Sequence, residues 1–468
     1  MSTIVLTTLN ARYIHASLGL RYLAANMGEL GNDTGIMEFT LQNRPEEIVE
    51  ALLAAQPRII GFGVYIWNVT EVTRVVALLK VVAPEITVVL GGPEVSHECD
   101  EQEIVRLADY VITGWGDISF AKLCRELLQE KPQPQKIIAG LQPPLSEIRM
   151  PYALYTDSDI AHRTLYVEAS RGCPFKCEFC ISSLDKTTWA FDLDRFLDEM
   201  DKLYRRGARQ FKFVDRTFNL NIKASTRILE FFLDRMDEKL FVHFEVIPDH
   251  LPEQLKELIV KFPAGSLQLE VGIQTLNPDV QKLISRKQDN AKSEENLRWL
   301  HEESHAHIHV DLIVGLPGED VASIARGFDR LIALKQQEIQ VGVLKRLRGT
   351  PIIRHAETYG MRFTPYPPYT ILATDRIDFP TMQRLVRFAR YWDLVGNSAR
   401  FPKALALLLG ESPFARFLAF SDWIYATTQQ THQIPLPRLF DLLYNGLTNV
   451  HAVPVEVALA AMEQDFIQ

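Results

Sequence analysis

The chain is predicted to be an α/β protein: a doubly wound, Rossmann-like domain, then a partial (β/α)6 barrel, then a mostly helical C-terminal region. Three observations predict this. Short β-branched runs alternate with helix-periodic segments twice over, a polar, Pro-rich stretch divides the two series, and the alternation stops near Thr364–Tyr369. Alternation of this kind implies parallel strands with helices packed across their faces.

In the first series the strands are expected at Thr3–Thr7, Arg58–Val64, Thr87–Leu90 and Asp109–Thr113. Helical spacing marks Leu18–Leu30, Glu46–Ala55, Val69–Val82 and Glu101–Leu107. Ligands of such folds bind at the C-terminal strand edges, which here carry Asn10, Val64-Tyr65, Gly91-Gly92-Pro93 and Gly114-Trp115-Gly116. Lys131–Pro151, with Pro132, Pro134, Pro143 and Pro144, reads as a linker. The second series has strands near Thr164–Ser170, Gln210–Asp215, Phe241–Val246, Leu267–Ile273, Ala306–Val314 and Ile339–Lys345. Helices are expected between them at Leu193–Arg206, Lys223–Arg235, Pro252–Lys261, Ala291–Glu303 and Val321–Gln336. The expected divisions are 1–135, a linker over 136–158, a barrel over 159–360 and a helical domain over 361–468. Barrel chemistry sits in the loops that follow the strands.

Composition excludes several classes. With 468 residues, 47% apolar side chains and 50 Lys plus Arg against 59 Asp plus Glu, the chain has ample material for real cores and is not disordered. A net charge of −9 argues against general nucleic-acid binding. No run approaches the roughly 18 apolar residues of a membrane helix. Met1–Asn10 lacks the features of a signal peptide, so a cytoplasmic location is expected. Oligomeric state is not legible.

Three of the five cysteines crowd into Arg171-Gly-Cys173-Pro-Phe-Lys-Cys177-Glu-Phe-Cys180, directly after an apolar strand. In a reducing compartment such a group means metal or redox chemistry rather than disulfides. The spacing lets three thiolates converge on one cubic cluster while leaving one iron open. The alternatives are a zinc site completed by a distant His and a chance grouping.

Cys173, Cys177 and Cys180, with aromatic Phe179 before the last, resemble the CxxxCxΦC signature of the radical S-adenosylmethionine (SAM) superfamily. The resemblance implies a 4Fe-4S cluster whose open iron chelates the amino and carboxylate groups of SAM. Homolysis then yields a 5′-deoxyadenosyl radical, and the polypeptide orients and shields the cofactors. Val214-Asp215-Arg216-Thr217-Phe218-Asn219 resembles the second-strand motif near the methionine amino group, with Arg216 where a second acid is usual. Glu270-Val-Gly-Ile-Gln274 and Asp311-Leu-Ile-Val-Gly315-Leu-Pro-Gly318-Glu resemble motifs around ribose, carboxylate and adenine. Leu347-Arg-Gly349-Thr350-Pro resembles the loop after the last strand. The implied SAM contacts are therefore Phe179, Asp215, Glu270, Gln274, Asp311, Gly315 and Leu347.

Each of these residues also has a plain structural reading: Asp311 as a turn cap, Glu270 as the partner of a barrel Arg, Gly315 as a permissive turn. If Leu269, Val271 and Ile273 face the outer helices, Glu270 and Gln274 point inward. His305, His307 and His309 alternate on one strand, about 6–7 Å apart, which is too far for two of them to share a zinc. His309 is expected as a hydrogen-bond partner near the site.

The N-terminal domain has neither GxGxxG nor GxxxxGK[ST], which disfavours dinucleotides and nucleoside triphosphates. Leu9-Asn10 through Ser17-Leu-Gly19, Gly61-Phe-Gly-Val-Tyr65-Ile-Trp67, Leu90-Gly91-Gly92-Pro93-Glu94 and Tyr110 through Gly116 resemble the cobalamin-binding class of radical SAM enzymes. The contacts this implies are Asn10, Ser17, Tyr65, Trp67, Gly91, Gly92, Pro93 and Gly114, with glycines admitting the corrin close to the backbone. DxHxxG is absent, which implies a displaced cobalamin tail with no His on the lower face. His15 and His97 are expected to be structural. Where the family shows a Gly-Glu-Gly-Glu turn, this chain has Gly114-Trp115-Gly116-Asp117.

In the C-terminal region Arg384, Arg387 and Arg390 recur at i, i+3, i+6 beside Phe388, Tyr391 and Trp392. A solvated basic face above an aromatic core is the expectation; a lid touching an anionic substrate is the alternative.

The class implies methyl transfer to an unactivated carbon of a small molecule or peptide, through methylcobalamin and a 5′-deoxyadenosyl radical. A reductant such as flavodoxin or ferredoxin would supply electrons. The alternatives are a cyclisation or rearrangement with the same cofactors, a non-catalytic cobalamin sensor, and an iron–sulfur electron carrier.

Overall fold

A computed structural model describes residues 2–131 and 133–467; Met1, Pro132 and Gln468 lie outside the described residues. Ile4–Asn10 is apolar enough to be buried along its whole length, and as β1 it sits inside a parallel sheet. With β2 (Thr34–Thr40), β3 (Ile59–Gly63), β4 (Thr87–Gly91), β5 (Tyr110–Thr113) and β6 (Ile137–Ala139), it makes six parallel strands in the order β2-β1-β3-β4-β5-β6. Helices α1 (Leu18–Ala25), α2 (Pro45–Ala54), α3 (Val69–Val82), α4 (Glu103–Leu107) and α5 (Ser119–Leu128) cover it. The sheet order reverses beside β1, so the edges of β1 and β3 border the crevice of a doubly wound fold.

Two strands of this sheet escape the hydrophobic pattern. β2 is half-buried throughout and β6 has three residues; both lie at sheet edges, where alternation carries little signal. β6 also falls in the segment expected as a linker. That segment is not loose: Tyr152 and Tyr155 are fully buried, and their hydroxyls donate to the carbonyls of Glu168 and Tyr166 at 3.1 and 2.7 Å. Pro132, part of the linker reading, is outside the described residues.

The second sheet is also parallel, in the order β14-β13-β12-β11-β10-β7. Its strands are β7 (Leu165–Val167), β10 (Gln210–Phe213), β11 (Phe241–Val246), β12 (Leu267–Gln274), β13 (His307–Val314) and β14 (Glu338–Val343). Between β7 and β10, β8 (Ser170–Gly172) and β9 (Thr188–Ala190) form a separate antiparallel pair, so the first barrel strand ends three residues earlier than expected. Helices α6 (Asp157–His162), α7 (Leu193–Arg205), α8 (Ile222–Leu233), α9 (Glu253–Ile259), α10 (Pro278–Leu283), α11 (Asn290–Glu303) and α12 (Val321–Ala333) complete the barrel. In β12 the apolar Leu267, Leu269, Val271 and Ile273 are buried while Gln268, Glu270, Gly272 and Gln274 alternate at intermediate exposure, as the period of two requires.

The C-terminal region is helical: α13 (Phe379–Val395), α14 (Pro402–Leu409), α15 (Pro413–Thr428), α16 (Leu436–Asn445) and α17 (Val455–Ile467). The α13 arginines are engaged in packing. Arg384 pairs with Asp422 at 2.7 Å, Arg387 stacks on Tyr425 and Arg390 donates to the Thr431 carbonyl at 3.1 Å. Among the described residues no single helix is long and apolar enough to cross a membrane; α14 and α15 pass by composition only as a pair bent by 106°.

Candidate functional site

A cleft of about 830 Å³ opens between the C-terminal edges of the N-terminal sheet and the first turns of the barrel. Asn10, Ser17, Tyr65, Trp67, Gly91, Gly92 and Gly114 line it. Pro93 does not; it stands exposed at the start of a short 3-10 turn just beyond the floor. The floor is glycine because nothing larger fits: Gly92 has φ +110°, and a Cβ there would lie 2.5 Å from the Val64 carbonyl. Tyr65 and Trp67 stack at 4.4 Å, offering a flat aromatic surface. Asn10 donates to Glu38 at 3.0 Å and the Ser17 backbone N–H donates to the same carboxylate at 2.6 Å. Glu38 also takes Arg21 at 3.0 Å and Arg163 at 2.8 Å, so a buried ion network holds this wall and joins it to the barrel. A broad, glycine-floored, aromatic-sided cleft suits a large planar ligand such as a corrin.

His15 shares a hydrogen bond of 2.7 Å with the Tyr166 hydroxyl across the two domains. His97 packs its ring over Gly349. Beside it Glu98 accepts from Arg346 and Arg348 at 2.8 Å each, while Glu94 accepts from Arg348 at 3.0 Å and Tyr369 at 2.8 Å. Both histidines thus sit at the contact between domains.

A second cavity, about 240 Å³, collects Cys173, Cys177, Phe179, Cys180, Glu270, Gln274 and Asp311. All three thiols are free, and burial raises those of Cys173 and Cys177. Among the described residues no three His, Cys, Asp or Glu side chains close around a single ion. All three thiols line the one cavity, and three cysteines are the donor set that holds a cubic cluster with one iron open. Glu178 braces their loop: Ser285, His355 (2.9 Å) and Arg354 all bond its carboxylate. Arg286 donates to Cys177 Sγ at 3.5 Å and to the Gly272 carbonyl.

Three expected SAM contacts do not line this cavity. Asp215 is buried and accepts from the Ala169 N–H at 3.0 Å and the Ser170 hydroxyl at 2.6 Å, which ties β10 to the segment entering the cysteine loop. Burial pushes its carboxyl up to about 7 against those two bonds. Gly315, at φ +90°, clears space for Ile371, whose side chain would meet a Cβ at 2.5 Å. Leu347 offers its carbonyl to the Thr350 hydroxyl at 2.6 Å, closing a turn.

The barrel interior below the cavity is charged. Glu270 accepts from His243 at 3.0 Å, with Lys212 at 3.6 Å; although burial acts the other way, the His243 hydrogen bond and the Lys212 charge hold it down at about 2. His309 lies between Asp311 and Glu338, each at 3.1 Å. Burial alone would lower its pKa, but the two carboxylates raise it to about 10. His309 is therefore a cation joined to a wall residue of the cavity.

Arg216 lines both cavities and is half-exposed to them. Glu245, missed in the sequence, accepts from it in a fork. The signal was present: Lys212, His243, Glu245 and Glu270 are polar residues of inward parity on neighbouring strands. Arg171, quoted only as part of the cysteine motif, also lines the first cleft, and its partner Asp117 lies too far away in sequence for spacing to connect them.

Family models match in three places: a B12 binding domain over residues 4–124, the radical SAM superfamily over 167–331, and a protein of unknown function (DUF4080) over 357–468. The cobalamin-dependent radical SAM methyltransferase TokK of Streptomyces tokunonensis is 23% identical over 350 residues, 67% of this chain and 51% of TokK. The uncharacterized methyltransferase PH0819 of Pyrococcus horikoshii is 30% identical over 237 residues, 45% of this chain and 51% of that protein. The chain thus spans about half the length of these curated relatives. The solved structure of the radical SAM methyltransferase TsrM from Kitasatospora setae, with cobalamin and a [4Fe-4S] cluster bound, superposes with a TM-score of 0.64. It covers 99% of this chain and 100% of TsrM at 15% identity, a likeness of fold. The chain carries a B12-binding domain followed by a radical SAM domain. After them it carries the helical DUF4080 domain at its C-terminus.

Proposed function

We propose that the chain is a cobalamin-dependent radical SAM methyltransferase acting on an unactivated carbon of a small molecule or peptide. When bound, the cluster and SAM supply a 5′-deoxyadenosyl radical, and cobalamin carries the methyl group. Cys173, Cys177 and Cys180 would hold the cluster, while Phe179, Glu270, Gln274 and Asp311 surround SAM. The Tyr65–Trp67 face and the Gly91-Gly92 floor would receive the corrin.

The observation that carries this reading is the shared wall: Arg216 borders both the thiol cavity and the glycine-floored cleft. Two groups bound on either side of one residue can meet a single substrate, which is the positioning term in catalysis. Named relatives support methylation: TokK is a cobalamin-dependent radical SAM methyltransferase, and another relative methylates 2-(S-pantetheinyl)-carbapenam-3-carboxylate. We place the protein in the cytoplasm, where free thiols persist and flavodoxin or ferredoxin can reach the cluster.

The test is anaerobic reconstitution with iron, sulfide and cobalamin, followed by reductant and SAM. Both 5′-deoxyadenosine and S-adenosylhomocysteine are expected by mass spectrometry. Deoxyadenosine alone would shift the assignment to a rearrangement enzyme. Neither product from loaded protein would leave the cobalamin-sensor alternative.

A further inference from the structure

The residue that precedes Gly172-Cys173 also bridges the two domains. Arg171 Nη1 and Nη2 donate to the two Asp117 oxygens at 2.9 and 3.1 Å, and Nε donates to Glu168 at 2.8 Å. Its guanidinium carbon lies 4.4 Å from the Tyr22 ring, 4.9 Å from Trp115 and 5.5 Å from Phe191. Tyr22, Trp115 and Asp117 belong to the N-terminal domain, and all three line the glycine-floored cleft. Every nitrogen of the guanidinium is engaged, and the side chain keeps only 16% of its exposure.

The connection onward to the thiols has no slack. Gly172 has φ +87°, and a Cβ there would stand 2.1 Å from the Thr187 carbonyl, so the strand pair β8–β9 grips the backbone immediately before Cys173. Trp115 and Asp117 occupy the turn after β5, next to Gly114 and Gly116 on the cleft wall. A ligand that orders this turn therefore orders Arg171, and a cluster that orders the cysteine loop orders Arg171 from the other side.

We infer that Arg171 is a positioning residue that couples the two cofactor sites, so that filling either one raises the affinity of the other. This rests on the function proposed above. The sign follows from ordering: whichever group binds second meets a wall already fixed by the first. Reciprocity makes the coupling the same in both directions.

The experiment measures hydroxocobalamin affinity by absorbance titration of the full chain, once with the reconstituted cluster and once after chelation has removed it. Wild-type protein is expected to bind at least about fivefold more tightly with the cluster present, the lower end of ordinary coupling. Arg171→Lys keeps the charge but loses the fork, and the ratio should fall towards one while the cluster-free form still binds. Asp117→Asn, which leaves Arg171 and Glu168 in place, should reduce the ratio partway and serves if the lysine variant folds poorly. A wild-type ratio of one, or a ratio unchanged in both variants, overturns the coupling while leaving the enzyme assignment intact. Failure of wild-type protein to take up cobalamin at all overturns both.

Discussion

Arg216 donates from one guanidinium nitrogen to both carboxylate oxygens of Glu245, at 2.7 and 2.9 Å, where the thiol-lined cavity meets the glycine-floored cleft. The fork leaves the remaining donors of Arg216 turned to the junction. A lysine ammonium could hold the same two oxygens but has no second nitrogen to present to the junction. Hydrogen bonds to charged groups are worth about 1.5–3 kcal/mol, so Arg216→Lys should lower formation of deoxyadenosine and S-adenosylhomocysteine about ten- to a hundredfold. Iron content per chain should stay at the wild-type level. Undiminished product formation by this variant would remove Arg216 from the chemistry.

Cys177 is buried, with the Arg286 guanidinium at its sulfur. Cys177→Ala deletes one of three ligands and is expected to drop reconstituted iron below about a third of wild type and abolish deoxyadenosine. Cobalamin should still bind, with the weaker affinity of the cluster-free protein, because the cleft's own wall is untouched. Retention of a full cluster by this variant would show that another residue serves as the third ligand.

The outline of the fold was legible because buried parallel strands such as Ile59–Gly63 and Leu267–Gln274 carry strong apolar patterns, and α3 lies where its spacing predicts it. β2 and β6 were not, since edge strands need no continuous apolar face. In the site, the three cysteines and the inward parity of Glu270 and Gln274 could be read from spacing alone. Asp215 could not: its burial and its bonds to Ala169 and Ser170 depend on a loop 45 residues away. Arg171 with Asp117 is a pairing that only the packed domains create, and Asn10 with Glu38 joins β1 to the edge strand β2, which the pattern did not show.

His309 has its pKa raised to about 10 by Asp311 and Glu338, against the effect of burial. A histidine whose folded-state pKa exceeds its ordinary 6.5 contributes stability that is fully present below that value and lost as pH rises through about 10. His309→Gln removes the charge and leaves two carboxylates without it, a break that costs on the order of 3–5 kcal/mol at pH 6.5. In urea titrations at pH 6.5 and 10 the gap between wild type and variant should narrow at the higher pH. A constant gap would show that the imidazole is not charged in the folded protein.

Glu319 supplies the opposite sign. It is buried and accepts from the Thr275 and Ser323 hydroxyls at 2.6 and 2.9 Å through one oxygen, while Oε2 has no hydrogen-bond partner. Burial pushes its pKa from 4.5 to about 7, over the opposing effect of the hydroxyls. The folded chain therefore binds this proton more tightly than the unfolded chain, and stability falls as pH rises from about 4.5 through about 7. Integrated over that window the penalty is at most about 3 kcal/mol. Glu319→Gln keeps an acceptor for both hydroxyls and never ionises. The variant should match wild type near pH 4.5 and exceed it by about 1–3 kcal/mol at pH 8, read from urea midpoints at both values. An advantage equal at both pH values would mean that Glu319 is not protonated in the folded state.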